Sequence, residues 1–329
     1  MPVEAKPLFR PEVIQPLLKN FLLPETARAA TPKLGHWADL IGSGQADTYT
    51  EKELLPEFLT DIFCNLLGYT SAVDNQARYT FSREKHVAVD GKYADAVLGD
   101  LRPDAKRYIV AVEGKGPKDP LDRPFAGRKM SAVDQGYRYA INLPCDWVIV
   151  TSIRQTRLYH KGSDQYTFER FETQELAANA PLLKRFVYIL GAERVAPLRD
   201  KPSHLYELLT ASEKVGRELT KEFYGKYAQM REDAYDQLCR VNPQVPSELI
   251  LTSTQKLLDR ILFCAFCEDR GLLPTETIKR AYEHSDLYNP KPSGKTSEAS
   301  SGPSTKATPP SASPPITAVS SPTTPASTN

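Results

Sequence analysis

Cysteine is scarce in this 329-residue chain and odd in number: Cys64, Cys145, Cys239, Cys264 and Cys267 are scattered through apolar stretches. That argues against a disulfide framework and predicts reduced core thiols in a cytoplasmic protein. Cys264-Ala-Phe-Cys267 lacks a second Cys pair or a nearby His pair, so packing fits it better than zinc. No apolar run approaches the about 18 residues of a membrane span, and the N-terminus has no signal pattern. The expectation is a protein without a membrane partner. An excess of one charge is missing too: 42 Lys and Arg against 41 Asp and Glu leave a net +1. Net charge therefore neither demands nor excludes nucleic acid, and only local charge is informative. Between Arg102 and Arg138, Lys106, Arg107, Lys115, Lys118, Arg123, Arg128 and Lys129 outnumber the acids.

What the chain does have is a pair of strand-like segments with charges gathered at one end. Gly91 to Leu98 reads as one strand. Tyr108-Ile109-Val110-Ala111-Val112 reads as a second, ending in Glu113-Gly114-Lys115, with a turn-like Gly99 to Lys106 between them. Folded about Pro103, the hairpin brings Asp95 opposite the end of the second strand. Glu113 and Lys115, two apart, share a face. Two carboxylates beside an ammonium suit a hard divalent cation and a phosphate. The same residues also fit a plainer arrangement, with Asp95 and Lys115 capping a hairpin and Glu113 paired to Lys115. Against it stands the apolar run into Glu113, because a buried strand seldom ends in two charges on one face unless they have partners.

Asp95…Glu113-Gly114-Lys115 resembles the PD-(D/E)XK nuclease signature, with Ala94 where the family name has Pro. The literal Pro103-Asp104 sits at the turn, about nine residues or roughly 30 Å of extended chain from Glu113, and is rejected as the ligand. The resemblance implies that Asp95, Glu113 and the Gly114 carbonyl hold Mg²⁺, with Mn²⁺ as the alternative, and that Lys115 assists the nucleophile.

Residues 50 to 69 predict a helix with apolar pairs every four residues and a polar stripe of Glu53, Glu57, Asp61 and Asn65. In the family a helix Glu often joins the metal site. Glu57 is the choice here, although periodicity does not separate it from Glu53 and a solvated stripe explains both. The polar loop Gly116 to Arg128 offers Lys118, Arg123, Arg128 and Lys129 to phosphates, or is simply solvated. A helix over 130–142, with Met130, Val133, Tyr137 and Ile141 facing in, carries Gln135, which matches a Gln near the active site of many such enzymes. Tyr79 to Val89, Trp147 to Thr151, Thr156 to Tyr159 and Tyr166 to Phe171 complete a set of strands. The order predicts an α/β mixed sheet flanked by helices.

From Pro181 the pattern is entirely helical, with Leu257, Leu258, Ile261, Leu262, Ala265 and Phe266 as the core face of a helix over Thr252 to Leu273. Leu258 to Pro274, Phe58 to Tyr69 and Val133 to Ala140 resemble type IIG restriction enzymes, which fuse this nuclease through a helical connector to an adenine DNA methyltransferase. That resemblance spans roughly residues 10 to 285. After Asn289 the composition collapses to Ser, Thr, Pro, Ala and Gly, as in disordered segments. No Asn-Pro-Pro-Tyr occurs, so methyltransfer is not expected.

The resulting division is a helical arm over 1–45, a PD-(D/E)XK nuclease domain over 46–180, a helical connector over 181–288 and a disordered tail over 289–329. The expected activity is Mg-dependent cleavage of double-stranded DNA within a restriction-modification system, with a methyltransferase or specificity subunit as a further partner. The alternative is a non-catalytic docking or scaffold subunit for a separate adenine methyltransferase.

Overall fold

A computed structural model gives the fold of residues 6–86, 93–197 and 201–283. The end of the strand expected to reach Val89, the Gly91-Lys92 start of the next, the last connector residues and the Ser/Thr/Pro-rich segment lie outside the described residues. Those described fall into two compact units, divided after Gln229.

The first unit is built on six strands whose spatial order follows the chain: β1 (Tyr79–His86), β2 (Tyr93–Leu101), β3 (Lys106–Gly114), β4 (Trp147–Thr151), β5 (Gln155–His160) and β6 (Phe168–Glu172). Neighbours pair antiparallel except β3 and β4, which run parallel. Around the sheet are α1 (Pro11–Lys19), α2 (Glu25–Gly42), α3 (Glu51–Leu59, continued as a π-helical turn over Thr60–Leu66), α4 (Ala132–Asn142), α5 (Thr173–Ala178), α6 (Ala180–Leu190) and α7 (Ala192–Val195). The long α8 (His204–Val241) leads into the second unit, which holds α9 (Ser247–Asp269) and α10 (Thr277–Glu283). This is the expected mixed sheet flanked by helices and followed by a helical segment.

Strand alternation sorts the side chains into two cores. Ala96, Leu98, Val110, Val112 and Ile149 meet Trp37, Phe58 and Phe186 on one face. Val97, Ala111, Val148 and Val150 meet Val133, Tyr139 and Ala140 of α4 on the other. Strands covered on both faces read as unbroken apolar runs, which is why β4 is Trp-Val-Ile-Val-Thr with every residue buried. Phe9 and Ile14 of the N-terminal arm, and Leu190 and Leu205 from beyond residue 181, belong to the first of these cores.

Two helical faces differ from expectation. In α4 the buried residues are Ala132, Val133, Gly136, Tyr139 and Ala140, while Ile141 is 68% exposed. The glycine decides the rotation: a Cβ on Gly136 would lie 2.8 Å from Val148 Cγ1 and 3.1 Å from Val150 Cγ2, so α4 turns its one side-chain-free position to the sheet. In α9 the buried residues are Ile250, Thr254, Leu258 and Cys267. Leu257, Ile261, Leu262 and Phe266 are exposed, because among the described residues of its unit α9 has only the end of α8 and the short α10 to pack against.

Candidate active site

The β2–β3 hairpin turns at Arg102–Ala105, placing Asp104 at the end away from Glu113. A bulge at Gly99 adjusts the register. A Cβ there would fall 2.0 Å from the Arg107 carbonyl, an approach that requires glycine. Beyond it Ala96 faces Val112, so one residue further Asp95 comes level with Glu113 on the α4 side of the sheet. The expected convergence is present. Asp95 Oδ2 accepts the Gly114 amide at 2.8 Å, and Lys115 Nζ makes an ion pair with Glu113 Oε1. The Lys115 amide donates to the Thr151 carbonyl at 2.7 Å, which anchors it beside β4.

The cluster is deep. Glu113 is fully buried and Lys115 is 7% exposed. Despite the ionic contact, neither Glu113 oxygen has a well-aligned hydrogen bond. Burial, reinforced by the charge on Asp95, pushes the Glu113 carboxyl up to about 8, against the pull of Lys115. Burial also raises Asp95, opposed by the Gly114 amide and Lys115 and helped by Glu51. For Lys115, burial works against the charge, but the attraction of Glu113 outweighs it and the ammonium is held above its ordinary value. Carboxylates in such surroundings are short of positive charge.

The helix carboxylate nearest this cluster is Glu51, not Glu57. Glu51 Oε2 accepts the Gly116 amide at 3.2 Å, and its charge raises both Asp95 and Glu113. One turn on, Leu55 packs over Gly114, where a Cβ would meet Leu55 Cδ1 at 2.5 Å. Glu53 and Glu57 each lie two residues, about 200° of helix, past Glu51 and Leu55, and so point away from the strand end. Glu57 is exposed. Glu53 is taken by the Thr50 amide and hydroxyl at the start of α3. Sequence reasoning missed Glu51, although the Gly114-x-Gly116 pair was a signal that something packs closely there.

Gln135 donates to the Tyr139 hydroxyl at 2.6 Å. Tyr139 is itself pushed up by burial and then by the Glu113 charge. Gly136 completes this wall, since a Cβ there would lie 3.6 Å from Glu113 Cβ. Of the loop bases, Lys118, Arg123 and Lys129 are exposed. Arg128 instead pairs with Asp119 and donates to the Phe125 carbonyl, bracing the loop from within.

A cleft of about 320 Å³ opens beside Lys115, with Asp47, Tyr49, Glu51, Lys118 and Phe125 among its walls. A larger groove, about 960 Å³, lies between Lys6–Glu12 and α8 and holds none of these residues. Among the described residues no three His, Cys, Asp or Glu side chains cluster at metal-binding distance. The donors at the strand ends are a pair of carboxylates. The pair nevertheless fits a hard cation: Glu113 is buried with neither oxygen in a well-aligned hydrogen bond, and Asp95 beside it spends Oδ2 on the Gly114 amide, which leaves carboxylate oxygens of the kind that Mg²⁺ or Mn²⁺ takes.

No described helix is long and apolar enough to cross a membrane. No family model matches the chain, and no curated protein does. Among solved structures, a cryoEM structure of a DrdV–DNA complex aligns at 15% identity with a TM-score of 0.31, covering 78% of this chain and 23% of that one. The chain thus spans less than a quarter of the length of that neighbour.

Proposed function

We propose that the chain is a metal-dependent DNA endonuclease module of restriction-modification type, hydrolysing phosphodiester bonds at Asp95, Glu113 and Lys115. The observation that carries the reading is Glu113: buried, without a well-aligned hydrogen bond, level with a second carboxylate, and ion-paired with a buried lysine two residues on. Burial and the repulsion of Asp95 raise the proton affinity of Glu113, and like charges so close weaken a fold. A divalent cation offsets that repulsion. Asp95 and Glu113 would hold it, with the Gly114 carbonyl as a backbone ligand. Such a cation supplies polarisation of the scissile phosphate and a more acidic attacking water.

The chain's own groups do the rest. Lys115, whose ammonium lies against Glu113, orients the attacking water and meets the charge that builds on the phosphate oxygens. Glu51 fixes the Gly116 amide and so the path of the chain leaving Lys115. Gln135, tied to Tyr139, closes the α4 side. Exposed Lys118, Arg123 and Lys129 lie within 14 residues of Lys115 along the chain and supply phosphate contacts for double-stranded DNA. Sequence specificity, by the type IIG resemblance, comes from a methyltransferase or specificity subunit.

The test is incubation of supercoiled plasmid with Mg²⁺ or Mn²⁺, alongside Asp95→Ala, Lys115→Ala and an EDTA control. Nicking by the wild type alone supports the reading. Equal nicking by the variants overturns it. Terbium luminescence, quenched on Asp95→Ala and Glu113→Gln substitution, reports cation binding without reference to cleavage. A second reading, the docking subunit for a separate adenine methyltransferase, rests on the exposed apolar row of α9, where Phe263 and Phe266 are 66% and 52% exposed. Co-elution with such a subunit, lost on Phe263→Asp, would favour it.

A further inference from the structure

The cleft beside Lys115 has two features that phosphodiester hydrolysis alone does not need: Tyr49 and Phe125, 47% and 40% exposed, both among its walls. Exposed aromatics are ordinary on mobile tips. These two stand on braced backbone. Tyr49 lies between Asp47, whose carboxylate accepts from Arg154 at 2.7 Å, and Thr50, whose amide and hydroxyl both donate to Glu53. Phe125 sits in a loop tied at its base by the Val133 amide to the Leu121 carbonyl at 3.2 Å. It is tied again by Arg128, which pairs with Asp119 and donates to the carbonyl of Phe125 itself. The residue after Phe125 is Ala126 at φ +52°, a left-handed alanine. Such a conformation costs free energy and persists only where the surroundings over-determine it. The loop accepts that cost and still leaves the ring in solvent.

Lys115 and Lys118 share the walls of the cleft with the two rings, beside Asp47, Glu51 and Asp119. A cleft of about 320 Å³ whose walls include two exposed rings and two lysines suits a planar base attached to a phosphate. We infer that Tyr49 and Phe125 form a stacking site for one unpaired nucleotide at the scissile phosphate, so that the substrate is DNA with a frayed, flipped or single-stranded nucleotide at that position. Stacking on aromatic side chains is tolerant of base identity, so the site selects for unpairing rather than for sequence. It rests on the proposed nuclease reading, because the nucleotide is seated by the same Lys115.

Binding tests the inference separately from cleavage. A short DNA strand carrying a central 2-aminopurine, free and in a perfect duplex, is titrated with the whole chain in EDTA. The expected result is tighter binding of the free strand, with quenching of its fluorescence. The preference should fall about five- to a hundredfold in Tyr49→Ala and Phe125→Ala and survive in Tyr49→Phe and Phe125→Tyr. Both positions are exposed, so the alanine variants keep the fold, which circular dichroism checks. Equal affinity for strand and duplex, or an undiminished preference in both alanine variants, overturns the inference. Plasmid cleavage that still depends on Asp95 would in that case leave the nuclease reading standing. The stacking preference together with cleavage indifferent to Asp95 would do the reverse.

Discussion

Gly114→Ala should expose the contact that sets α3 against the end of β3. The added Cβ would lie 2.5, 2.6 and 3.0 Å from Leu55 Cδ1, Cδ2 and Cγ, all inside ordinary van der Waals separation. Leu55 is 6% exposed and so has little room to retreat. Overpacking of this kind costs about 1–3 kcal/mol. Leu55→Ala alone leaves a cavity and costs about 2–5 kcal/mol. Combined, the new methyl occupies part of the space the leucine vacates, so the double variant should be more stable than the sum by about 1–2 kcal/mol, within the range for contacting residues. Urea unfolding of the four chains measures the cycle. Additive costs within about 0.5 kcal/mol would mean that α3 does not lie on Gly114, and the argument for Glu51 would fall with it.

Glu51→Gln should lower cleavage by tenfold or more in the plasmid assay, whereas Glu57→Gln, on the far side of α3, should leave it within twofold. Without metal, stability should fall as pH rises from the ordinary carboxylate range to about 8, because the folded chain holds the Glu113 proton more tightly than the unfolded one. The slope contributed by one such group is at most about 1.4 kcal/mol per pH unit. Asp95 adds to it in the same direction, and Glu113→Gln should flatten it in urea titrations run across that window. Asp100 behaves oppositely. It is 1% exposed and is held by Arg78 at 2.7 Å and Arg102 at 3.2 Å. Burial raises its carboxyl but the two arginines bring it below its usual value, so its contribution is present above the ordinary Asp range and is lost as pH falls through it. Asp100→Asn should cost about 1–3 kcal/mol at neutral pH, visible as a lower urea midpoint.

The hairpin and its three charges were legible because two local rules sufficed: a turn at Pro103 and the two-residue period of a strand. β4 was legible as an apolar run, and the order of strands about α4 followed. The faces of helices were not. Periodicity reports that α3 has an apolar stripe, but where its first turn meets the strand end depends on the absent side chains of Gly114 and Gly116, a tertiary fact. The same holds for α4, where Gly136 rather than Ile141 meets the sheet, and for α9, whose apolar residues outnumber the surfaces its unit provides. The role of Arg128 was read from its charge, while its partner Asp119, nine residues earlier, was legible only once the loop had a shape.

The single parallel pairing, β3 with β4, has a consequence for when the chain becomes competent. β1 to β3 join by hairpin contacts, as do β4 to β6, so each half forms from neighbours in sequence and should form early. Asp95 and Glu113 belong wholly to the first half. The Lys115 amide is fixed by the Thr151 carbonyl of the second, across a crossover of more than thirty residues. A chain still on the ribosome, or one that has ordered only its first hairpins, therefore carries the carboxylates without a positioned lysine. The proposed cleavage would then be withheld until the two halves of the sheet have met.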